Sequence, residues 1–143
     1  MSCLFCSIAQ GTTPAEIVWR GAGAVAFLDH RPLFPGHVLL IPEHHVETLA
    51  DLQAAQLGSF FEAVQKLERA VEVAMDAEGT FIAINNRVSQ SVPHLHVHIV
   101  PRRKGDGLKG FFWPRHKYES EEQMRQVAEK IRRSSASLSE TAA

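Results

Sequence analysis

Within the run Ser91 to Arg102, His94, His96 and His98 alternate with Leu95, Val97 and Ile99. Period-two alternation predicts a β-strand with three imidazoles on one face and aliphatic side chains on the other. Neighbouring imidazoles on that face stand roughly 6.6 Å apart, twice the rise of about 3.3 Å per residue. Upstream, Glu16 to Trp19 and Val25 to Leu28 predict two short strands separated by Gly21 and Gly23, a hairpin signal. Asp29 to His37 is a loop punctuated by Pro32, Pro35 and Gly36, and Val38 to Ile41 is a compact buried strand ended by Pro42.

A different period follows. Leu57, Phe60, Phe61, Val64, Leu67, Val71, Ala74 and Met75 recur at spacings of three and four, which predicts one long helix with a core-facing stripe. Asp51 is placed to cap its start and Gly79 to stop it. Thr80 to Asn85 predicts another strand, which feeds the histidine strand through a short polar loop. Ser120 with Gln123 makes a capping box for a last helix, whose inner face carries Met124, Val127 and Ile131. The fold class expected is α+β: an antiparallel sheet with one long central helix and a C-terminal helix packed on one side.

Composition narrows the class. The 143 residues suit a single domain, taken as residues 1–133, with its motifs inside 3–102, an extension over 103–133 and a disordered Ser/Ala-rich tail at 134–143. Fifteen Lys and Arg against sixteen Asp and Glu give a net charge of −1, which argues against nucleic-acid binding. No apolar run approaches the ~18 residues of a membrane span, so a soluble cytoplasmic protein without membrane or nucleic-acid partners is expected. One stretch departs from this balance. Six Lys and Arg between Arg102 and Tyr118 face only Asp106, beside the aromatic run Phe111, Phe112 and Trp113.

Two features carry candidate chemistry. Cys3 and Cys6, the only cysteines, are spaced as Cys-x-x-Cys before any predicted strand. That context suits half of a tetrahedral zinc site better than a redox pair. The histidine face is poor packing material. A neutral imidazole, with an ordinary pKa of ~6.5, is a capable nucleophile near pH 7, and its protonated form can meet a phosphate charge. The plainer alternatives are a wet strand face and a metal cluster with an open position.

With these pieces placed, the chain resembles the histidine triad (HIT) family of nucleotide hydrolases and transferases. His94 to Val100 meets its His-φ-His-φ-His-φ-φ signature. Cys3-Leu-Phe-Cys6, Ala26-Phe-Leu-Asp29, Pro35-Gly-His-Val-Leu-Leu-Ile-Pro42, His45 and the Gln90–His98 run fall in family order. The resemblance implies cleavage at the α-phosphorus of a purine nucleotide conjugate, a dinucleoside polyphosphate or a nucleoside phosphoramidate, with His96 as nucleophile in a two-step mechanism. It further implies that His98 and His37 bind the phosphate oxygens and that Ser91, with Gln90 beside it, meets the leaving atom. Asp29 would accept from the ribose hydroxyls, Phe27, Phe5 and Ile8 would line the base pocket, and Asn86 (or Asn85) would approach the phosphate. A structural zinc held by Cys3, Cys6, His45 and His94 is implied, with His44 the competitor of His45, and no catalytic metal. A homodimer is implied as well. The loop Asn86 to Gln90 departs from the family by lacking glycine and being about two residues shorter. The alternative reading is a non-catalytic purine-nucleotide sensor with the same zinc.

Overall fold

The computed structural model of the protein describes residues 2–108 and 115–141. The chain forms two units, residues 1–106 and 107–143. In the first, α1 (Leu4–Ala9) precedes β1 (Ile17–Gly21), β2 (Ala24–Leu28) and β3 (Val38–Pro42). A 3₁₀ turn (Leu49–Asp51) leads into α2 (Ala54–Met75), followed by β4 (Gly79–Ala83) and β5 (Val97–Arg102). The strands make one antiparallel sheet in the order β1-β2-β3-β5-β4. The expected α+β architecture is what forms.

Alternation along the strands sorts apolar side chains onto two faces. Ala24, Ala26, Val38, Leu40, Val97 and Ile99 join Phe60, Val64, Leu67 and Val71 of α2 in one core cluster. Val25, Phe27, Leu39 and Ile41 face the other way and meet Phe5 and Ile8 of α1. The helix α1 was not anticipated from the pattern, because six residues with no side-chain cap leave almost no periodic signal. Two helix boundaries also differ from expectation. Asp51 does not cap α2; its carboxylate accepts from the Thr48 amide and hydroxyl, and α2 begins after Gln53. The helix ends before Gly79, at Asp76 (φ 51°), since aspartate tolerates the left-handed conformation that a C-cap requires.

β1 and β2 turn through Ala22 and Gly23 at φ 50° and 74°, with Gly21 paired to Ala24. Positive φ at both central positions is the type I′ hairpin, which glycine suits and alanine resists. Ala22→Asn should therefore stabilise the protein by about 1 kcal/mol. The urea midpoint checks it, and an unchanged or lower midpoint would contradict it. At Gly36 (φ 95°) the constraint is closeness, because a Cβ there would lie 2.6 Å from Met75 Cγ.

In the second unit, α3 spans Glu121–Thr141. Ser120 Oγ accepts from the Gln123 amide at 3.0 Å, and the Gln123 side chain accepts from Glu119 N, so the capping box forms with a one-residue offset. The helix continues through Ser134, past the point where the Ser/Ala-rich composition suggested a disordered tail, because serine is only a mild helix breaker and alanine a good former. The residues Phe111, Phe112 and Trp113 lie outside the described residues. Among the described residues, no helix is long and apolar enough to cross a membrane.

Candidate active site

The register of β3 with β5 fixes how the histidines are presented. Leu40 faces Val97 and Val38 faces Ile99, so Pro42 falls opposite Leu95. Proline has no amide hydrogen, so the ladder stops there and β5 proper starts at Val97. Ahead of Val97 the chain bends over residues 91–94, and the Leu95 amide donates to Val46 O at 2.7 Å. The alternation survives. Leu95, Val97 and Ile99 lie in the α2 core, whereas His94 and His96 meet Phe5 on the opposite side.

Hydrogen bonds then fix what each ring offers. His96 Nδ1 lies 2.7 Å from the carbonyl of His94, an acceptor, so Nδ1 carries the hydrogen. Its Nε2 keeps a bare lone pair. Phe5 stands edge-on to this ring, with centroids 5.1 Å apart. The next ring belongs to a relay. Leu33 N–H donates to His37 Nδ1 at 3.1 Å, which leaves the hydrogen of a neutral His37 on Nε2. That N–H donates to His98 Nδ1 at 3.0 Å, so the hydrogen of His98 resides on Nε2. Asp29 Oδ2 lies 3.7 Å from His37 Nε2.

Burial, more than the neighbouring His96 and His37 charges, pushes the pKa of His98 down to about 4, with Asp29 opposing weakly. Burial is also the first cause lowering His37, partly offset by Asp29. The relay is therefore neutral near pH 7. Unfolded, these rings protonate near 6.5, whereas folded His98 waits until about 4. Below pH 6.5 the unfolded chain gains protons that the native chain refuses, so stability falls with acidification from 6.5 through 4. Thermal midpoints between pH 7.5 and 4.5 should show this decline, made shallower by His98→Gln. A midpoint that rises on acidification would contradict it.

The residues around His96 and His98 enclose a cleft of about 730 Å³. Of the residues expected there, Phe5, Ile8, Phe27, Asp29, Ser91, His96 and His98 line it. Phe5 and Phe27 meet edge to face at 5.3 Å and make an apolar wall. Three expected residues are absent from the lining. His37 is buried behind His98 with both nitrogens engaged. Gln90 accepts from Arg87 N and donates to Glu47 O at 2.6 Å. Asn86 Oδ1 accepts from Leu49 N at 2.9 Å, so both amides clasp the 86–90 loop to the 47–49 segment. The loop needs that clasp. Arg87 and Ser89 adopt φ 70° and 60° without glycine.

Sequence reasoning missed Thr13, Glu16, Leu39 and Val92, which also line the cleft. Leu39 was accessible in principle, since it pairs with Phe27 across β2 and β3. No comparable signal marks Thr13 or Glu16.

A second cluster sits beside the first. The ligand atoms of Cys3, Cys6, His45 and His94 all lie within 4.8 Å of one another. His94 Nε2 donates to Pro42 O at 2.9 Å, which turns the bare Nδ1 toward the thiols. Nδ1 of His94 stands 3.4 Å from Cys3 Sγ and 3.5 Å from Cys6 Sγ, and His45 Nδ1 stands 3.4 Å from Cys6 Sγ. Tetrahedral zinc with Zn–S ≈ 2.3 Å and Zn–N ≈ 2.05 Å sets S···N at about 3.6 Å. The residues therefore fit a closed Cys₂His₂ zinc centre, down to the carbonyl that orients a ligating imidazole. Asp29, His37 and His98 form another close group, but the hydrogen-bond chain through His37 occupies its inward nitrogen.

A five-stranded antiparallel sheet that presents alternating histidines over an aromatic-walled cleft defines the histidine triad class. The chain matches the HIT domain over residues 10–105 and belongs to that family. It is 38% identical over 94 residues to the asymmetrical bis(5′-nucleosyl)-tetraphosphatase of Schizosaccharomyces pombe, covering 64% of this chain and 52% of that one. It is 32% identical over 119 residues to the adenosine 5′-monophosphoramidase of Candida albicans, covering 79% and 78%. A HIT family structure from Bacillus subtilis superposes with TM-score 0.84 at 33% identity over 93% of this chain and 96% of the other. A zinc-bound histidine triad protein from Mycobacterium smegmatis does so with TM-score 0.71 at 33% identity, over 96% and 98%.

Proposed function

We propose that the protein is a nucleotide hydrolase or transferase that cleaves at the α-phosphorus of a purine nucleotide conjugate through a nucleotidyl-His96 intermediate. The observation that carries this reading is the bare Nε2 of His96, left by the Nδ1 bond to the His94 carbonyl, inside an apolar-walled cleft. In the first step Nε2 forms a bond to the α-phosphorus as the bond to the leaving group breaks. The positive charge left on the ring is stabilised through Nδ1–H on the His94 carbonyl. The Nε2–H of His98 donates to a phosphate oxygen, and His37 acts from behind as its positioning partner. Ser91, on the cleft wall, meets the leaving atom. Water or another acceptor then takes the nucleotidyl group from His96.

The nucleoside half follows from the same wall. Phe5, Ile8 and Phe27 cover a flat apolar base, and Asp29 accepts from the vicinal ribose hydroxyls. The relatives named for cleaving bis-nucleosyl tetraphosphates and adenosine monophosphoramidate support this substrate class. Cys3, Cys6, His45 and His94 would hold one zinc ion, which supplies a structural cross-link.

Turnover of a bis-adenosyl tetraphosphate and of adenosine 5′-monophosphoramidate tests the reading, with Asp29→Ala as the diagnostic variant. Asp29→Ala should weaken ribonucleotides by about tenfold, the worth of one charged hydrogen-bonding group, and abolish preference over the 2′-deoxy analogue. Retained discrimination would remove Asp29 from the ribose contact. Tight AMP binding with no turnover on either substrate would favour a sensor.

A further inference from the structure

We propose that the Cys-His centre and the nucleotide cleft are thermodynamically coupled through α1, with Phe5 as the residue that transmits the coupling; this rests on the nucleotide and zinc readings above. The helix is six residues long and carries parts of both sites. Cys3 immediately precedes it and Cys6 lies within it, while Leu4, Phe5 and Ile8 of the same segment line the cleft. Helices this short do not persist on propensity alone, so α1 depends on what anchors it. One anchor is the pair Phe5 and Ile8, each under 10% exposed (6% and 7%) in the cluster with Phe27 and Leu39. The other is the thiols' approach to His94 and His45.

Phe5 sits between the two thiols and touches both sites. Its ring centroid lies 5.1 Å from His96, 5.3 Å from Phe27 and 6.1 Å from His94. His94 makes a second link. Its Nδ1 faces the thiols while its carbonyl holds His96 Nδ1–H. A metal that clamps Cys3 and Cys6 onto His94 therefore fixes the edge of the base wall and the ring that it abuts. A nucleotide stacked on that wall reciprocally restrains α1, and with it the two thiols. Linkage requires one coupling factor in both directions. The metal-bound centre is then a positioning device for the cleft as well as a cross-link.

The test uses the full-length zinc-loaded protein with AMP as probe, and its readout is the zinc Kd from equilibrium competition with a chromophoric chelator of known affinity. Saturating AMP should lower that Kd by about tenfold, within the usual range for coupled sites. In zinc-loaded Phe5→Ala at saturating AMP, the change should fall below about twofold, with zinc content retained. Calorimetry of AMP binding runs alongside. An equal zinc Kd with AMP demonstrably bound would overturn the coupling and leave the nucleotide reading standing. An undiminished change in Phe5→Ala would overturn the role of Phe5. No AMP binding would sink the nucleotide reading and the coupling with it, and failure to load zinc would sink the metal reading likewise.

Discussion

His96→Ala is expected to lower kcat by about 10⁴-fold or more, the loss typical when a covalent nucleophile is deleted. At roughly 1.4 kcal/mol per decade this is about 5.5 kcal/mol of lost transition-state stabilisation. The reason is positional. Among the described cleft-lining residues, only the His96 ring has Nε2 freed by a bond from its own Nδ1 to a carbonyl. His98 lies beside it at a centroid distance of 5.0 Å, but its Nδ1 is occupied by His37 and its Nε2 carries the hydrogen. It cannot take over as nucleophile. AMP affinity should change only a few-fold, since the base wall and Asp29 remain, so the effect belongs to kcat. Steady-state kinetics with calorimetric AMP binding separates the two. A variant that keeps a tenth of wild-type turnover would remove His96 from the chemistry.

Removal of one of the two thiols should give the largest stability effect. A ligand that binds only the native state at a thousand times its Kd contributes about 4 kcal/mol. Cys6→Ser should therefore abolish zinc binding and lower Tm by on the order of 15 °C. Without metal, burial and the adjacent Cys3 push the Cys6 thiol pKa up, so Cys6 gains nothing from ionising on its own. The core under α2 contains none of the four ligands, and the sheet should survive with α1 loosened. Zinc content, Tm and far-ultraviolet circular dichroism check this outcome. Stoichiometric zinc with an unchanged Tm in Cys6→Ser would contradict it.

How far the sequence foretold these features depends on the range of the interactions behind them. Alternation at His94–Ile99 sufficed to separate the imidazole face from the α2 core, although β5 itself begins only at Val97. The approach of His45 to Cys6 came from the resemblance alone, since those residues are 39 positions apart and no local rule joins them. Boundaries misled where two chemistries compete for one residue. Asp51 had a choice between capping α2 and bonding Thr48, and Asp76 could serve as a helix stop without glycine. Asn86 was expected near the phosphate and Gln90 beside Ser91 at the leaving atom; in the structure both amides also hold a loop with Arg87 and Ser89 at positive φ. His37 lies next to His98 but behind it, away from the cleft lining. The Leu33 amide that fixes its tautomer could not be read from the chain.

The most direct measurement of the central claim is intact-protein mass spectrometry after millisecond quenching, with a bis-adenosyl tetraphosphate and adenosine 5′-monophosphoramidate as substrates. The wild type should gain one adenylyl group transiently, and His96→Ala should gain none while remaining folded. AMP release by the wild type with no adduct at any quench time, or an equal adduct on His96→Ala, would contradict covalent catalysis at His96.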